Sequence, residues 1–245
     1  MEVIEGRNPV IEALKAGRPL SRVLLDSTLT GQGVADQITS LCRSRGVEVE
    51  FVDRRVMDGQ STTGMHRGVM ALGSTKKYVD LHDLMEITAS RGEPALYLVL
   101  DGIEDPQNFG AILRTAEAAG IHGVVIRERR SVGITAAVAR ASAGAVEYVP
   151  VAMVSNIAQS LEVFKKNGVW AVGIDMSGEV SYTGVDFRLP TAIVIGGEGR
   201  GLSELVKKRC DLIASIPMKG QISSLNASVA AALVMYEALR QRAPR

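Results

Sequence analysis

The chain has 245 residues, of which 46% are hydrophobic, 22% charged and 4% aromatic, and its formal net charge is +1. This composition is ordinary for a globular protein of one large domain or two small ones. The net charge is too small to indicate nucleic-acid binding by itself.

Features of other protein classes are missing from the sequence. Cys42 and Cys210 are far apart and lack the spacing of a metal site or a disulfide framework, so we expect reduced thiols and no bound metal. No apolar run approaches the roughly 18 residues that a membrane span needs, and the N-terminus lacks the layout of a signal peptide. We therefore expect a cytoplasmic protein without membrane attachment.

Residues 1–75 are predicted to form a small α/β unit. Asn8 as N-cap, with Pro9 at the first helical position, predicts a helix that runs through Leu14. Further along the unit, hydrophobic periodicity predicts a strand, a helix and two more strands, over residues 22–26, 34–45, 47–52 and 68–73.

The rest of the chain has the alternation of strands and helices that is typical of a parallel sheet. Residues 76–93 are predicted to be a linker that runs into a short helix over 81–89. Strands are then expected over residues 96–100, 124–126, 148–151, 170–174, 192–195 and 212–216. Helices are expected over residues 109–119, 135–143, 156–166, 202–208 and 224–240. This order predicts an α/β domain with a mostly parallel sheet and helices on both faces.

Three segments that follow predicted strands are rich in chemically useful residues, and parallel sheets bind ligands at such strand ends. They are residues 101–117, 196–201 and 216–228. The second contains four glycines in six residues, which lets a backbone approach a flat or anionic ligand, although a simple turn also explains it. Neither the dinucleotide fingerprint nor a P-loop is present, which disfavours a Rossmann-type oxidoreductase and a nucleoside triphosphatase.

The other two segments also have a purely structural explanation. Asn108 suits a helix N-cap, and Arg114 and Glu117 are spaced to form a surface ion pair. Ser223 and Ser224 suit N-caps of the last helix, with Asn226 in its first turn.

In order and spacing, the three segments resemble the signature motifs of the SpoU (TrmH-like) branch of the SPOUT methyltransferases. The matching stretches are DPQNFGAILRTA at 105–116, IGGEGRGL at 195–202, and IPM at 216–218 with SLNASVA at 224–230. The resemblance covers residues 95–242 and extends to EGRNPV at 5–10 and HRGV at 66–69. Within the branch, the chain is most similar to the bacterial 23S rRNA guanosine 2′-O-methyltransferases. It departs from them at Arg67, where Gln is common, and at Ala227, where Val is common.

The resemblance implies a fold and an assembly. Residues 1–75 would form an L30e-like domain that binds substrate RNA, residues 76–93 a linker, and residues 94–245 a trefoil-knotted SPOUT domain. The SPOUT domain would form a homodimer. The last helix carries a small apolar face that suits a partner helix or the helix's own sheet equally well, and this face consists of Ala227, Ala230, Ala231 and Val234.

The resemblance also implies an activity, the 2′-O-methylation of a ribose in structured RNA with S-adenosylmethionine as cofactor. The cofactor would be held by Gly196, Gly197, Gly199, Ile216, Met218 and Leu225. Catalysis would involve Arg114, Asn108, Glu198, Ser224 and Asn226. The RNA would be contacted by Arg7, Asn8, Arg67 and Glu117.

The residue chemistry limits the role of Arg114. A guanidinium stays protonated, so Arg114 is better suited to hold a substrate phosphate and polarise the attacking oxygen than to act as a base. Glu198 would either anchor Arg114 or receive the proton. A guanosine of 23S rRNA is the expected substrate. A tRNA ribose methyltransferase and a non-catalytic RNA-binding protein of the same fold are the alternatives.

Overall fold

The computed structural model describes residues 2–222 and 224–243. They separate into two compact units. The first unit contains the chain up to Lys77 together with Ile134–Tyr148, and the second contains Tyr78–Gly133 and the residues from Val149 onward. A segment from the middle of the chain therefore belongs to the first unit, which differs from the expected division at residues 75 and 94. The segment expected to be a linker lies mostly within the second unit.

The first unit is built on a four-stranded mixed sheet. The strands are β1 (Glu2–Glu5), β2 (Leu20–Asp26), β3 (Glu48–Val52) and β4 (Val69–Gly73), in the order β1-β4-β2-β3. β4 is antiparallel to β1 and β2, whereas β2 and β3 are parallel. The helices are α1 (Arg7–Lys15), α2 (Gly33–Arg45), α3 (Arg54–Gln60) and α6 (Ala136–Ala141). Apolar side chains of the sheet, α1 and α2 form its core, among them Ile4, Leu14, Val23, Ile38 and Val69.

The start of the first unit differs from the sequence-based prediction. β1 and α3 were not predicted, and α1 begins at Arg7 rather than after Asn8. The N-cap is Gly6, whose φ of 101° turns the chain directly from β1 into the helix. Asn8 consequently lies inside the helix, and its predicted role as N-cap is wrong.

A buried carboxylate fixes a loop to the end of β1. Glu5 is completely buried, and its carboxylate accepts hydrogen bonds from the Ser61 hydroxyl at 2.8 Å and from the backbone N–H of Thr62 at 2.6 Å. The Thr62 and Thr63 hydroxyls also donate to it. Burial raises the pKa of Glu5, but the hydrogen bonds from Thr63, Thr62 and Ser61 outweigh this effect and lower the pKa to about 2.

The second unit contains the predicted parallel sheet. Its strands are β5 (Leu96–Asp101), β6 (Gly123–Arg127), β7 (Val151–Val154), β8 (Trp170–Ile174), β9 (Val180–Ser181), β10 (Thr191–Gly196) and β11 (Leu212–Ser215). They lie in the order β7-β6-β5-β10-β8-β11-β9, and every pairing is parallel. All residues of β5 are buried, as expected for a strand covered on both faces. The trefoil knot stays a prediction from the resemblance.

Five α-helices belong to this unit, within the described residues. They are α4 (Leu81–Ala89), α5 (Pro106–Ala118), α7 (Ile157–Lys166), α8 (Glu204–Arg209) and α9 (Ala227–Arg242). None of the described helices is both long enough and apolar enough to cross a membrane. A core of strand and helix residues, including Tyr97 stacked on Phe164, fills one side of the sheet.

Several element boundaries near the site differ from the prediction. α5 begins at Pro106, because the Asp105 side chain accepts a hydrogen bond from the backbone N–H of Asn108; Asp105 is the N-cap, and Asn108 is not. α9 begins at Ala227 rather than near Ser224, because Asn226 caps it. Ser223 lies outside the described residues. β7 begins at Val151, later than the predicted strand over 148–151.

α9 has two apolar faces with different environments. The small face, which by sequence suits a partner helix or the helix's own sheet, packs mainly within the chain, against α5 and β10, and Ala227, Ala231 and Val234 are buried there. This result supports the alternative that the face packs on its own sheet. Val229, Leu233 and Tyr236, spaced along the opposite side, are exposed, and we call them the α9 stripe.

Candidate active site

The loops that follow β5, β8, β10 and β11 lie at one edge of the sheet, because these strands are parallel. A cavity of about 520 Å³ opens at this edge, between the ends of β8, β10 and β11 and the start of α9. Its volume lies within the range of about 300–1,000 Å³ that is typical of small-molecule sites. Each residue predicted to hold the cofactor lines this cavity, namely Gly196, Gly197, Gly199, Ile216, Met218 and Leu225.

Glycine occurs in the loop after β10 for two different reasons. A Cβ atom on Gly196 would lie 2.1 Å from the carbonyl carbon of Gly201, and one on Gly197 would lie 2.2 Å from the carbonyl oxygen of Gly102. Close packing therefore requires both glycines: at Gly196 the loop packs on itself, and at Gly197 it packs on the loop after β5. Gly199 has a φ of 74°, and within the described chain a Cβ atom there would meet nothing within 4 Å. Among the described glycines of this loop, Gly199 is the one that leaves open space beside the backbone.

Polar side chains from the three motifs form a continuous chain of hydrogen bonds. Nδ2 of Asn108 donates to the carboxylate of Glu198, and Oδ1 of Asn108 accepts from Nδ2 of Asn226 at 2.9 Å. Oδ1 of Asn226 accepts from the backbone N–H groups of Ser228, at 2.9 Å, and Val229, at 3.3 Å. We call Glu198, Asn108 and Asn226 the polar relay. It connects the starts of α5 and α9 with the loop after β10.

Arg114 lies on α5 with its side chain exposed. Within the part of the chain that the structure describes, it forms no ion pair with Glu117 or with any other carboxylate. Glu198 is hydrogen-bonded to Asn108, so the structure does not bring Glu198 and Arg114 together as an ion pair. The guanidinium of Arg114 is consequently available to an external anion.

Ser224 belongs to the cavity but not to the relay. It lines the cavity beside Leu225, and it makes no hydrogen bond within the described residues. The expected N-cap role belongs to Asn226 instead. Ser224 is therefore placed to meet a ligand rather than to stabilise α9.

Sequence reasoning missed the polar groups that follow β8. Asp175, Ser177 and Lys207 line the cavity, and Nζ of Lys207 lies 3.1 Å from Oδ1 of Asp175. Burial raises the pKa of Asp175, but hydrogen bonds from Ser177 and Lys207 outweigh it, so the pKa is lowered and the carboxylate is charged at neutral pH. The sequence did contain a sign of this site, because Asp175 directly follows a predicted strand, as Asp101 does.

The residues predicted to contact RNA fall in both units. Arg7 and Asn8 are exposed at the start of α1, and Arg67 is exposed in the loop before β4. The backbone N–H of Gly6 donates to the carbonyl of Val69, so Arg7 and Arg67 lie at the same end of the β1–β4 pair. Glu117 is exposed on α5 of the second unit.

The cysteines do not provide a reactive thiolate. Burial raises the pKa of Cys42 to about 11 and that of Cys210 to about 12, so both thiols keep their protons at neutral pH.

Among the described residues, the side chains that come close enough to share a metal ion are His82, Asp83 and Glu86. These three side chains are exposed on α4 and do not line the cavity.

The comparisons with known proteins agree with the geometry. The SpoU rRNA methylase family model matches residues 95–236, and the model for RNA 2′-O ribose methyltransferase substrate binding matches residues 3–79. The putative TrmH family tRNA/rRNA methyltransferase YacO of Bacillus subtilis is 44% identical over 244 residues, which are 99% of this chain and 97% of that protein.

Two solved structures are similar over nearly the whole chain. The SpoU methyltransferase AviRb of Streptomyces viridochromogenes, in complex with the cofactor AdoMet, is 27% identical with a TM-score of 0.82, covering 98% of this chain and 89% of that one. An AdoMet-bound rRNA methyltransferase of Sinorhizobium meliloti is 25% identical with a TM-score of 0.79, covering 99% and 88%. Because the methylase model spans more than half of the chain and the Bacillus relative aligns with almost all of it, the protein belongs to the SpoU (TrmH) family of RNA methyltransferases.

Proposed function

We propose that this chain transfers a methyl group from S-adenosylmethionine to a ribose 2′-hydroxyl of ribosomal RNA, with a guanosine of 23S rRNA as the expected target. The polar relay carries the proposal, because it joins groups from all three motifs next to a cavity of ligand size. The substrate-binding model that matches residues 3–79 is described for RNA 2′-O ribose methyltransferases and supports ribose as the acceptor.

The residues around the cavity fit S-adenosylmethionine. Ile174, Ile195 and Leu225 provide apolar walls for a flat base, and Asp175 and Lys207 provide groups for polar parts of the ligand. The open space at Gly199 allows the ligand to approach the backbone. AviRb and the Sinorhizobium enzyme were both solved with this cofactor. When bound, the cofactor supplies an electrophilic methyl group on a sulfonium sulfur.

Arg114 is the group best placed to hold the RNA backbone. Its guanidinium is exposed and, among the described residues, has no carboxylate partner. An arginine fork binds a phosphate through two parallel hydrogen bonds, which would fix the neighbouring ribose. We therefore assign Arg114 to the phosphate next to the target nucleotide, not to proton removal.

The relay would orient the ribose hydroxyl. Both ends of the Asn108 amide are held, by Glu198 and by Asn226, so its orientation is fixed. Asn226 is in turn held by the N-terminus of α9. Glu198 keeps further acceptor capacity on its carboxylate, which suits it to accept a hydrogen bond from the 2′-hydroxyl and to take up the proton that the hydroxyl loses as its oxygen gains the methyl group. Positioning of this kind lowers the barrier without a strong base at the site.

Ribosomal RNA is favoured over tRNA by family likeness. The family model is described as an rRNA methylase, and the Sinorhizobium neighbour is described as an rRNA methyltransferase. The name of the Bacillus relative includes both tRNA and rRNA, which makes tRNA the second candidate.

The proposal includes a homodimer that uses the α9 stripe. Val229, Leu233 and Tyr236 form an apolar row on a helix whose other side is already buried. A second copy of α9 packed on this row would remove it from water. Light scattering on the purified chain and on a Leu233→Lys variant tests this: a dimer that the substitution dissociates is expected, and a monomeric wild-type chain would contradict it.

The reaction is tested by transfer of labelled methyl from S-adenosylmethionine to protein-free 23S rRNA and, separately, to tRNA, followed by alkaline digestion. A 2′-O-methyl group blocks alkaline cleavage of the adjacent phosphodiester, so the label is expected in dinucleotides from rRNA. Label in mononucleotides would mean base methylation and contradict the proposed reaction. Label in dinucleotides from tRNA alone would keep the reaction and contradict the choice of rRNA.

A further inference from the structure

The cavity contains a second acidic group, Asp175, which is separate from the polar relay. Its side chain is 8% exposed. Oδ1 accepts hydrogen bonds from the backbone N–H of Ser177 at 3.0 Å and from the Ser177 hydroxyl at 2.7 Å, and Lys207 lies 3.1 Å from the same oxygen. In the part of the chain that the structure describes, Oδ2 receives no hydrogen bond. The protein therefore satisfies one carboxylate oxygen and leaves the other to a ligand.

Backbone hydrogen bonds hold Asp175 in place at the cavity wall. The backbone N–H of Asp175 donates to the carbonyl of Ala214 at 3.0 Å, and its carbonyl accepts from Gly178 at 3.1 Å. A Cβ atom on Gly201 would lie 3.0 Å from Oδ2, so glycine at this position lets the loop after β10 pass close to that oxygen without a side chain covering it. A rigid acceptor of this kind needs no reorganisation before it binds a donor.

The position of Asp175 in the sheet indicates which part of a ligand it meets. β10 lies between β8, which Asp175 follows, and β5, which leads to α5 and Arg114. Two strand spacings are about 10 Å. The end of the ligand that reacts near Asn108 and Arg114, which lie on the helix after β5, is therefore not the part beside Asp175. In nucleotide-binding parallel sheets, a carboxylate at a neighbouring strand end typically accepts hydrogen bonds from ribose hydroxyls.

We propose that Oδ2 of Asp175 accepts a hydrogen bond from a ribose hydroxyl of the S-adenosylmethionine cofactor. This assignment rests on the proposed function, since it names one contact of that cofactor. It makes Asp175 a cofactor-binding residue in addition to those expected from the motifs.

Calorimetric binding of S-adenosylhomocysteine, which does not react, tests the contact without any turnover. Asp175→Asn is expected to weaken binding about 10- to 100-fold, the range for a lost hydrogen bond to a charged group. Asp186→Asn is the matched control, because Asp186 is an exposed carboxylate that does not line the cavity. This variant is expected to bind S-adenosylhomocysteine with wild-type affinity. Melting temperatures of both variants identify any loss of folding.

The 2′-deoxy and 3′-deoxy forms of S-adenosylhomocysteine identify the donor. One of them is expected to bind the wild-type chain about 10- to 100-fold more weakly, and to lose little further affinity in Asp175→Asn. Wild-type affinity in Asp175→Asn would overturn the ribose contact while leaving the proposed function intact. The same conclusion would follow if the substitution and the missing hydroxyl each lowered the affinity by the same factor whether or not the other change was present. Failure of the wild-type chain to bind S-adenosylhomocysteine at all would contradict the proposed function and the contact together.

Discussion

Arg114 is the residue whose proposed role depends most on its freedom from protein partners. We expect Arg114→Ala to lower methyl transfer at least roughly 100-fold, the usual effect of removing one preorganised electrostatic contact. Affinity for S-adenosylhomocysteine should stay within a few-fold, because Arg114 does not line the cavity. Initial rates and calorimetry measure the two effects, with Arg91→Ala, another exposed arginine of the second unit, as control. Near-normal turnover in Arg114→Ala would remove this role.

Gly199 and Gly196 are expected to respond differently to substitution. Gly199→Val should fold with a cost of about 1–2 kcal/mol from its positive φ, and should bind S-adenosylhomocysteine poorly because the side chain enters open cavity space. Gly196→Ala should disturb the loop itself, since the added Cβ meets the backbone of Gly201. Melting curves and calorimetry separate the two outcomes. Unchanged affinity in a folded Gly199→Val variant would mean that no ligand approaches this position.

The sequence predicted the site residues best where they belong to a recognised motif, and it predicted the helix N-caps least well. Asn108, Glu198 and Asn226 were predicted to act together and are linked by hydrogen bonds. The expected caps Asn8 and Ser224 were wrong, since a cap is decided by where the chain enters the helix, not only by residue type. Asp175 was missed because the loop after β8 carries no recognised motif.

At the scale of elements, the contact between β1 and residues 61–63 depends on the ionised carboxylate of Glu5. The pKa of Glu5 is lowered to about 2 in the folded chain, so its contribution to stability is present above the ordinary pKa, near 4.5, and is lost as the pH falls from there to about 2. The shift corresponds to roughly 3 kcal/mol. In urea unfolding between pH 7 and pH 3, the stability of the wild-type chain should fall more steeply than that of Glu5→Gln. Parallel pH profiles would show that Glu5 does not anchor the loop.

The strand and helix pattern of the second unit was predicted well because its buried strands are short continuous apolar runs separated by helical patterns. Buried strands such as β5 and β10 alternate with amphipathic helices, and this alternation determines a parallel sheet. β9 was not predicted, because two residues carry no periodicity. The strand order, with β10 between β5 and β8, could not be derived from local patterns, since it depends on contacts between residues far apart in the chain.

At the scale of the whole molecule, the chain passes between the two units three times, after Lys77, Gly133 and Tyr148. The segment 134–148 is attached to the first unit by the packing of α6 against β1 and by a buried ion pair. Nη1 of Arg18 lies 2.8 Å from Oε1 of Glu147, and these side chains are 4% and 2% exposed. Arg18 also donates to Glu2 at 2.7 Å and to the carbonyl of Ser74. One arginine therefore connects segments that are more than a hundred residues apart in sequence.

Loss of one member of this buried pair should be far more damaging than loss of an exposed pair nearby. Arg18→Met leaves Glu147 buried without its guanidinium partner, and we expect a loss of about 3–5 kcal/mol in the free energy of unfolding. Arg22→Met is the control, because Arg22 pairs with Glu50 at 3.4 Å on the surface of the same unit, where a pair contributes about 0–1 kcal/mol. The double variant Arg18→Met with Glu147→Met should recover part of the loss, since it also removes the buried Glu147 charge, which would otherwise keep only Nζ of Lys76 at 3.9 Å as an ion-pair partner in the described chain. Urea unfolding of the four chains measures these differences, and equal losses for Arg18→Met and Arg22→Met would show that the buried pair does not hold the inserted segment.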